Sequence, residues 1–240
     1  MGSGTVFERY EIKYIITEKQ KELIKNGMEK YMAPDKYGRS VIRNIYYDTA
    51  DSRLIRRSNE KPVYKEKLRV RSYKRVESDD EKVFVELKKK YNSVVYKRRT
   101  VLSENTAAKW LNDGQLSQEQ TQIISEIEYF RRFYGSLVPS AFVSYDREAF
   151  FAVDGSNFRV TFDENISART TDLSLKKDVG GEKLLGNGLV LMELKTHSGI
   201  PLWMTSLLSE NEIYKTSFSK YGTAYRTMIF PEKGEIKNVC

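Results

Sequence analysis

The sequence predicts an α+β fold dominated by antiparallel strands, with helices at the periphery. Eight segments alternate polar and apolar residues with the period of two that half-buried strands show. Clusters of Gly, Asn, Asp and Ser bound most of these segments, and the short spacing favours antiparallel hairpins. The predicted strands are residues 8–16, 44–48, 65–73, 82–90, 94–102, 141–150, 157–163 and 190–196.

Helices are predicted between these strands, where apolar residues recur at helical spacing. Thr17 followed by Gln20 matches a capping box, so a helix is predicted to begin there. Residues 117–134 carry apolar side chains on one side of a second helix. A short helix is predicted over residues 201–208, because its proline suits a first helical turn, and a last helix over residues 219–229.

Length and composition indicate one folded domain. The chain has 240 residues, 41 Lys and Arg against 33 Asp and Glu, and a formal net charge of +8, which favours an anionic partner. We expect a single domain over residues 1–240, with a long mobile loop at residues 167–187. The one cysteine, Cys240, excludes a disulfide framework and favours a reducing compartment, so we expect a cytoplasmic protein. No apolar segment approaches the ~20 residues of a transmembrane helix.

The predicted strands carry charged side chains on one face and apolar side chains on the other. Such a face usually lies in water, but a solvated face mixes signs because like charges on neighbouring strands repel one another. Basic residues dominate here, which is reasonable if a polyanion neutralises them in the lumen of a curled sheet. The basic residues in these rows include Lys13, Lys67, Arg69, Arg71, Lys88, Lys97, Arg99, Arg159 and Lys195.

Sparse acidic residues interrupt the basic rows. Glu193 is the first candidate for a metal ligand, because its strand neighbours are apolar and Lys195 flanks it. Mg²⁺ and Mn²⁺ prefer hard oxygen ligands together with substrate phosphates. The alternative is a structural ion pair between Glu193 and a Lys or Arg. There is no Walker loop or CxxC pair, and a single histidine, His197, argues against His-cluster metal sites and Ser-His-Asp chemistry.

Eight short runs stand in order over residues 7–230. They are ERYEIKY at 8–14, YYDT at 46–49, KLRVRSY at 67–73, FVELKKK at 84–90, SYDREAF at 144–150, FRVTFDE at 158–164, LMELKT at 191–196 and SFSKYG at 217–222. In order and spacing the chain resembles the VTC polyphosphate polymerase domain, one of the triphosphate tunnel metalloenzymes of the CYTH-like superfamily. The resemblance implies an antiparallel β-barrel tunnel of about eight strands. It also implies Mn²⁺- or Mg²⁺-dependent transfer of the γ-phosphate of ATP to a growing polyphosphate chain.

Matching motifs carry the site residues onto this sequence. Glu193 would hold the metal, and Lys220 would come from a C-terminal element that closes one mouth of the tunnel. Arg99 corresponds only loosely to the family pattern. The candidate catalytic residues are Arg69, Arg71, Lys220 and Glu193. The candidate substrate-binding residues are Lys13, Lys67, Arg69, Arg71, Lys88, Arg99, Arg147, Arg159, Lys195 and Lys220.

Other functions remain open at this point. An inorganic triphosphatase or polyphosphate hydrolase would use the same tunnel, but related hydrolases tend to begin with E-x-E-x-K. Arg9, Glu11 and Lys13 replace one of those acids with a base, which favours holding phosphate over activating water. A non-catalytic polyphosphate-binding module is the third alternative. The expected partners are ATP and pyrophosphate or polyphosphate, with a membrane partner left open. Nucleic acid is not expected, because no RNP-like signature follows residues 88–91.

Overall fold

The computed structural model describes residues 10–92, 94–116, 121–197 and 199–231. Within these ranges, eleven strands form one antiparallel sheet with helices packed outside it, so the predicted α+β class is confirmed. The strands are β1 (Tyr10–Thr17), β2 (Met32–Pro34), β3 (Ser40–Thr49), β4 (Tyr64–Ser72), β5 (Lys82–Tyr91), β6 (Val94–Ser103), β7 (Leu137–Ala152), β8 (Arg159–Arg169), β9 (Glu182–Lys183), β10 (Leu189–Thr196) and β11 (Lys215–Thr216). The helices are α1 (Glu18–Met28), α2 (Arg53–Asn59), α3 (Glu104–Asp113), α4 (Gln122–Tyr134), α5 (Leu202–Glu210) and α6 (Lys220–Ala224), and a π-helical turn (Tyr225–Ile229) follows α6.

The sheet is open, which corrects the predicted closed barrel of about eight strands. Its order is β11-β1-β10-β8-β7-β3-β4-β5-β6, with β2 attached to β7 and β9 attached to β8. The three strands beyond the predicted eight, β2, β9 and β11, are two or three residues long, too short to show a period of two. The sheet nevertheless curls, as a contact between distant strands shows: Lys88 Nζ on β5 donates to Glu11 Oε2 on β1 at 2.6 Å. A side-chain ion pair therefore bridges strands near the two ends of the sheet.

Several predicted boundaries are wrong for local reasons. Strand β7 has 16 residues and a register shift between Ser144 and Asp146, which interrupts the alternation that sequence patterns rely on. Strand β8 runs on into the predicted loop at residues 167–187, which also contains β9. The predicted helix at residues 117–134 begins at Gln122, and residues 117–120 lie outside the described part of the chain.

Two helices escaped prediction. The N-terminus of α2 is capped from the preceding strand, since Asp48 accepts hydrogen bonds from the backbone N–H groups of Leu54 and Ile55. Sequence rules look for a cap at the residue just before the helix, which here is Ser52, and the Ser52 side chain makes no capping hydrogen bond. A cap supplied from the preceding strand is therefore missed. Helix α3 could have been predicted, because Ser103 caps its N-terminus and Gly114 follows its last residue.

Apolar side chains of the sheet pack outward against the helices. Helices α3 and α4 cover β4 to β6, where Leu68, Leu87 and Trp110 are fully buried in one cluster. Helices α1 and α5 cover β1, β8 and β10 around Ile24 and Met192. Since the helices take the apolar face, the charged face of each strand turns inward. None of the helices in the described ranges is long and apolar enough to cross a bilayer.

Candidate functional site

The inner face of the curled sheet encloses a cavity of about 660 Å³, within the ~300–1,000 Å³ range of small-molecule sites. Among the described residues, twelve Lys or Arg side chains and two Glu side chains line this basic cavity. Every site residue that the sequence predicted lies on its wall, although their roles stay predictions. They are Lys13, Lys67, Arg69, Arg71, Lys88, Arg99, Arg147, Arg159, Glu193, Lys195 and Lys220.

Strand alternation explains why these residues meet. On β4, Arg69 faces the cavity whereas Leu68 and Val70 are buried in the outer core. The antiparallel register then aligns Arg69 with Glu86 on β5 and Glu86 with Arg99 on β6. Charged side chains on three adjacent strands therefore form one row across the cavity wall.

Glu86 organises this row of cations. Its side chain is 1% exposed, and its carboxylate accepts from Arg69 Nη2 at 2.7 Å and Arg99 Nε at 2.7 Å, with Lys97 Nζ at 2.8 Å. Burial would raise the pKa of Glu86, but the surrounding cations, Arg69 foremost, hold it well below its ordinary value. Arg69 Nη1 also donates to Tyr46 Oη at 3.2 Å. Arg69 Nε donates to Glu86 Oε2 as well, at 2.9 Å, so these contacts orient Arg69 and leave two of its five N–H donors for a ligand.

Tyrosine and asparagine side chains that sequence reasoning missed hold the neighbouring Arg71. Arg71 Nε donates to Asn44 Oδ1 at 2.8 Å, and its Nη2 donates to Tyr145 Oη at 3.1 Å. Tyr46 and Tyr145 both line the cavity. Burial would raise the pKa of Tyr46, but Arg69 and Arg71 lower it. Asn44 and Tyr46 lie on one face of the predicted strand at residues 44–48, so strand alternation could have placed them on the same side of the sheet.

Asp163 forms a second anchor on β8. Its fully buried carboxylate accepts from Arg147 Nε and Nη2, both at 2.6 Å, and from Lys220 Nζ at 2.6 Å. Burial would raise the pKa of Asp163, but Arg147 and Lys220 keep it lowered. This bidentate pairing fixes the Arg147 guanidinium and ties α6 to the wall of the cavity.

Glu193, the predicted metal ligand, lies among four cations. Its oxygens are 3.2 Å from Lys195 Nζ, 3.6 Å from Lys13 Nζ, 3.7 Å from Lys220 Nζ and 3.8 Å from Arg147 Nη2. Burial would raise the pKa of Glu193, but these cations, Lys195 foremost, hold it well below its ordinary value. Unlike Glu86 and Asp163, Glu193 accepts no side-chain hydrogen bond from the residues that the structure describes.

Two cations in the cavity have no acidic partner among the described residues. Lys67 Nζ donates only to Ser219 Oγ at 2.9 Å, and Arg159 lies over the Phe151 ring at 4.4 Å. Burial, together with nearby Lys13, lowers the pKa of Lys67 well below its ordinary value. Unpaired cations at a half-buried site are costly, and a bound anion would relieve that cost.

Helix α6 has five residues and is held by tertiary contacts, because so short a helix is not stable alone. The Tyr221 hydroxyl donates to Asp48 Oδ2 at 2.8 Å, and its ring stacks on Tyr46 at 4.5 Å between centroids. Lys13 Nζ donates to the Phe218 carbonyl at 2.6 Å just before the helix. These contacts keep Lys220 at the cavity.

A divalent cation fits this wall only together with phosphate. No group of three or more His, Cys, Asp or Glu side chains that could hold a metal occurs in the described part of the chain. Mg²⁺ needs only about one or two carboxylates when phosphate oxygens complete its coordination. Glu193 can supply one carboxylate, whereas Glu86 and Asp163 are saturated by cations. The residues therefore fit a cation that arrives with an anionic ligand.

Solved structures with this fold come from distant proteins. A candidate adenylate cyclase from Bacillus halodurans has a TM-score of 0.55 and 13% identity, over 90% of this chain and 95% of that one. A candidate adenylyl cyclase from Hippeastrum, described as having a dominant triphosphatase activity, has a TM-score of 0.55 and 16% identity, over 92% of this chain and 95% of that one. At these identities the likeness concerns the fold alone. No curated protein sequence matches the chain.

A family model gives the assignment that the structural likeness does not. The model of the VTC domain matches residues 8–229, which is nearly the whole chain and includes every strand and helix described above. The chain belongs to the VTC domain family.

Proposed function

We propose that this protein is a metal-dependent polyphosphate polymerase, which transfers the γ-phosphate of ATP to a growing polyphosphate chain in the basic cavity. The observation that carries the proposal is the excess of cations over carboxylates on the cavity wall, including Lys67 and Arg159, which have no acidic partner in the described ranges. A chain of phosphates is an anion whose charge is spread along its length, so it matches rows of cations better than a single anionic group does.

Substrate binding is assigned to the arginines and lysines of the wall. Arg69 and Arg147 are each oriented by a buried carboxylate, and each keeps N–H donors for phosphate oxygens. Lys195 and Lys220 add point charges beside them. Because these groups are fixed before the ligand arrives, little reorganisation is needed to stabilise charge on a transferring phosphoryl group.

The reaction needs positioning and charge neutralisation more than a strong base. A terminal oxygen of the acceptor chain forms a bond to the γ-phosphorus of ATP, and the bond from that phosphorus to the β,γ-bridging oxygen breaks, which leaves ADP. The acceptor oxygen is already ionised, so no proton has to be removed. In our assignment Glu193 holds Mn²⁺ or Mg²⁺, which would neutralise charge on the phosphates when bound.

The acidity of the cavity carboxylates favours a phosphate acceptor over water. Hydrolysis benefits from a general base with a pKa near the operating pH. The pKa of Glu11 is about 2, because Lys88 and Lys195 outweigh the effect of burial. The pKa values of Glu86 and Glu193 are well below the ordinary value as well. All three are therefore weak bases near neutral pH.

An inorganic triphosphatase is the second candidate, because the Hippeastrum protein with this fold is described as having a dominant triphosphatase activity. In that case water would take the place of the acceptor chain. A third alternative, a module that binds polyphosphate without turnover, would be indifferent to Mn²⁺ and to Glu193→Gln.

The test is turnover of ATP with Mn²⁺ by the wild-type chain and three variants, with products separated on a gel stained for polyphosphate. We expect a ladder of long chains from wild type and none from Arg69→Ala, Lys220→Ala or Glu193→Gln, with folding checked by circular dichroism. Tyr214→Phe is the matched control, since Tyr214 is 78% exposed and away from the cavity. Wild-type turnover in a folded cavity variant would remove that residue from the site.

A further inference from the structure

Arg43 on β3 is a buried cation without a partner among the residues that the structure describes. Arg43 is 8% exposed, and its Nε is buried without a hydrogen-bond acceptor. Within the described part of the chain, its guanidinium has neither a hydrogen bond nor an ion pair with a carboxylate. Buried charges in proteins are paired as a rule, because removing an unpaired charge from water is very costly. The buried Nε therefore calls for an acceptor that the described residues do not supply.

Arg43 lies outside the basic cavity. The next residue on β3, Asn44, contacts Arg71 on the cavity side, so Arg43 points to the opposite face of the sheet. There its cross-strand neighbours are Ser72 on β4 and Ser144 on β7, and Ser144 pairs in turn with Ser167 on β8.

These serines, on β4, β7 and β8, form a strip of small hydroxyl side chains that is interrupted on β3 by Arg43 itself. Ser144 and Ser167 are hydrogen-bonded to each other, with 3.0 Å between their Oγ atoms, and Ser72 Oγ donates to the Lys74 carbonyl at 2.6 Å. The residues paired with Arg43 on both neighbouring strands therefore have small side chains. A hydroxyl group can also donate to an anion after a rotation of its side chain.

Two further arginines flank this strip and hold one loop over it. Arg75 Nε donates to the Lys176 carbonyl at 2.7 Å, and its Nη1 contacts Asp178 Oδ1 at 2.6 Å. Arg169 donates to the carbonyls of Asp172 at 3.1 Å and Asp178 at 2.9 Å. Burial lowers the pKa of Arg43, and the charges of Arg75 and Arg169 lower it further, whereas the carboxylate of Asp178, which Arg75 contacts, raises it. Arg75 and Arg169 therefore lie near enough to repel the charge of Arg43.

We propose that Arg43, Arg75 and Arg169 form a second anion site, for a phosphate group, on the outer face of the sheet. A phosphate group would give the Arg43 guanidinium acceptors, with two of its oxygens in the bidentate geometry that arginine favours. It would also offset the repulsion that Arg75 and Arg169 exert on Arg43. Orthophosphate and the end of a polyphosphate chain share this chemistry. The site is separate from the cavity and does not depend on turnover of ATP there.

The test uses Arg43→Met, which keeps the length of the side chain and removes its charge. Isothermal titration with orthophosphate and with tripolyphosphate, at matched ionic strength, counts the sites in each protein. We expect the variant to have one site fewer than wild type, or an affinity at that site weaker by about 10- to 100-fold. Orthophosphate that binds as tightly as tripolyphosphate would identify a site for the free ion, and binding of tripolyphosphate alone would identify a site for a chain.

Thermal unfolding without added anion provides the second readout. A buried unpaired charge destabilises the folded chain, so Arg43→Met should melt above wild type, and phosphate should close or reverse that difference. Arg132→Met is the control, because Arg132 is 75% exposed and loses the same charge. Equal phosphate binding by wild type and Arg43→Met would overturn the proposal. So would a variant that melts below wild type together with no phosphate effect on wild type, which would assign Arg43 to the fold alone.

Discussion

Lys195 links burial in the basic cavity to a measurable pH dependence. Burial lowers its pKa to about 8, although the carboxylate of Glu193, at 3.2 Å, raises it. Arg147 lowers the same pKa, while Glu11 and Asp163 raise it. A bound polyanion would bring negative charge next to the ammonium group and raise its pKa again. Binding near or above pH 8 should therefore take up a proton, and affinity should fall as pH rises.

The size of the effect follows from the pKa of the ligand-free protein. With a pKa of about 8, charged and neutral Lys195 stand in a ratio of about ten to one at pH 7 and about one to ten at pH 9. If the anion binds the charged form, its dissociation constant should rise about tenfold between these pH values. Lys67, whose pKa burial also lowers, acts in the same direction.

The assay is isothermal titration of tripolyphosphate into wild type and Lys195→Arg at pH 7, 8 and 9. Arginine stays charged throughout this range, so the variant should show a flatter pH dependence. Ionisation of the ligand affects both proteins equally, and the ratio of their affinities isolates Lys195. Buffers with different ionisation enthalpies report the proton uptake directly. Identical pH slopes for the two proteins, or proton release on binding, would refute this reasoning.

Three further predictions concern the carboxylates and α6. Glu86→Gln leaves Arg69 with an uncompensated charge, so the free energy of unfolding in urea should fall by about 3 kcal/mol. This is the low end for a broken buried ion pair, because water reaches part of the cluster. An unchanged unfolding midpoint would contradict the central role of Glu86. Tyr221→Phe removes the donor to Asp48 and should lower the unfolding free energy by about 1.5–3 kcal/mol, whereas a wild-type melting curve would mean that stacking alone holds α6. Glu193→Gln should abolish the Mn²⁺ dependence of tripolyphosphate binding while tripolyphosphate still binds, and an unaltered Mn²⁺ response would remove Glu193 as a ligand.

The inward set of basic residues could be predicted because it depends on a local rule. Alternation along a strand decides which face each side chain takes, and Lys67, Arg69 and Arg71 obey it on β4. The existence of the sheet and its antiparallel pairing follow from the same alternation and from short turns. Lys220 was identified by resemblance, since nothing in its local sequence indicates that it meets Asp163 across the fold.

The remaining features depend on tertiary geometry. The sheet stays open and curls through the Glu11–Lys88 pair, which joins residues 77 positions apart and leaves no periodic pattern. The contacts of Glu86 with several cations depend on the register of β4, β5 and β6, which the sequence pattern does not determine. The unpaired state of Arg43 among the described residues is a property of its surroundings, and Arg43 lies just before the predicted strand at residues 44–48.

The fate of the γ-phosphate of ATP tests the central claim most directly. Phosphorus NMR of wild-type protein incubated with ATP, Mn²⁺ and a short polyphosphate primer, after removal of the metal with a chelator, separates internal chain phosphates from orthophosphate. We predict that internal chain phosphates accumulate as ADP forms, and that Arg69→Ala abolishes both signals. Orthophosphate as the sole product would show that water is the acceptor and would contradict the assignment of a polymerase.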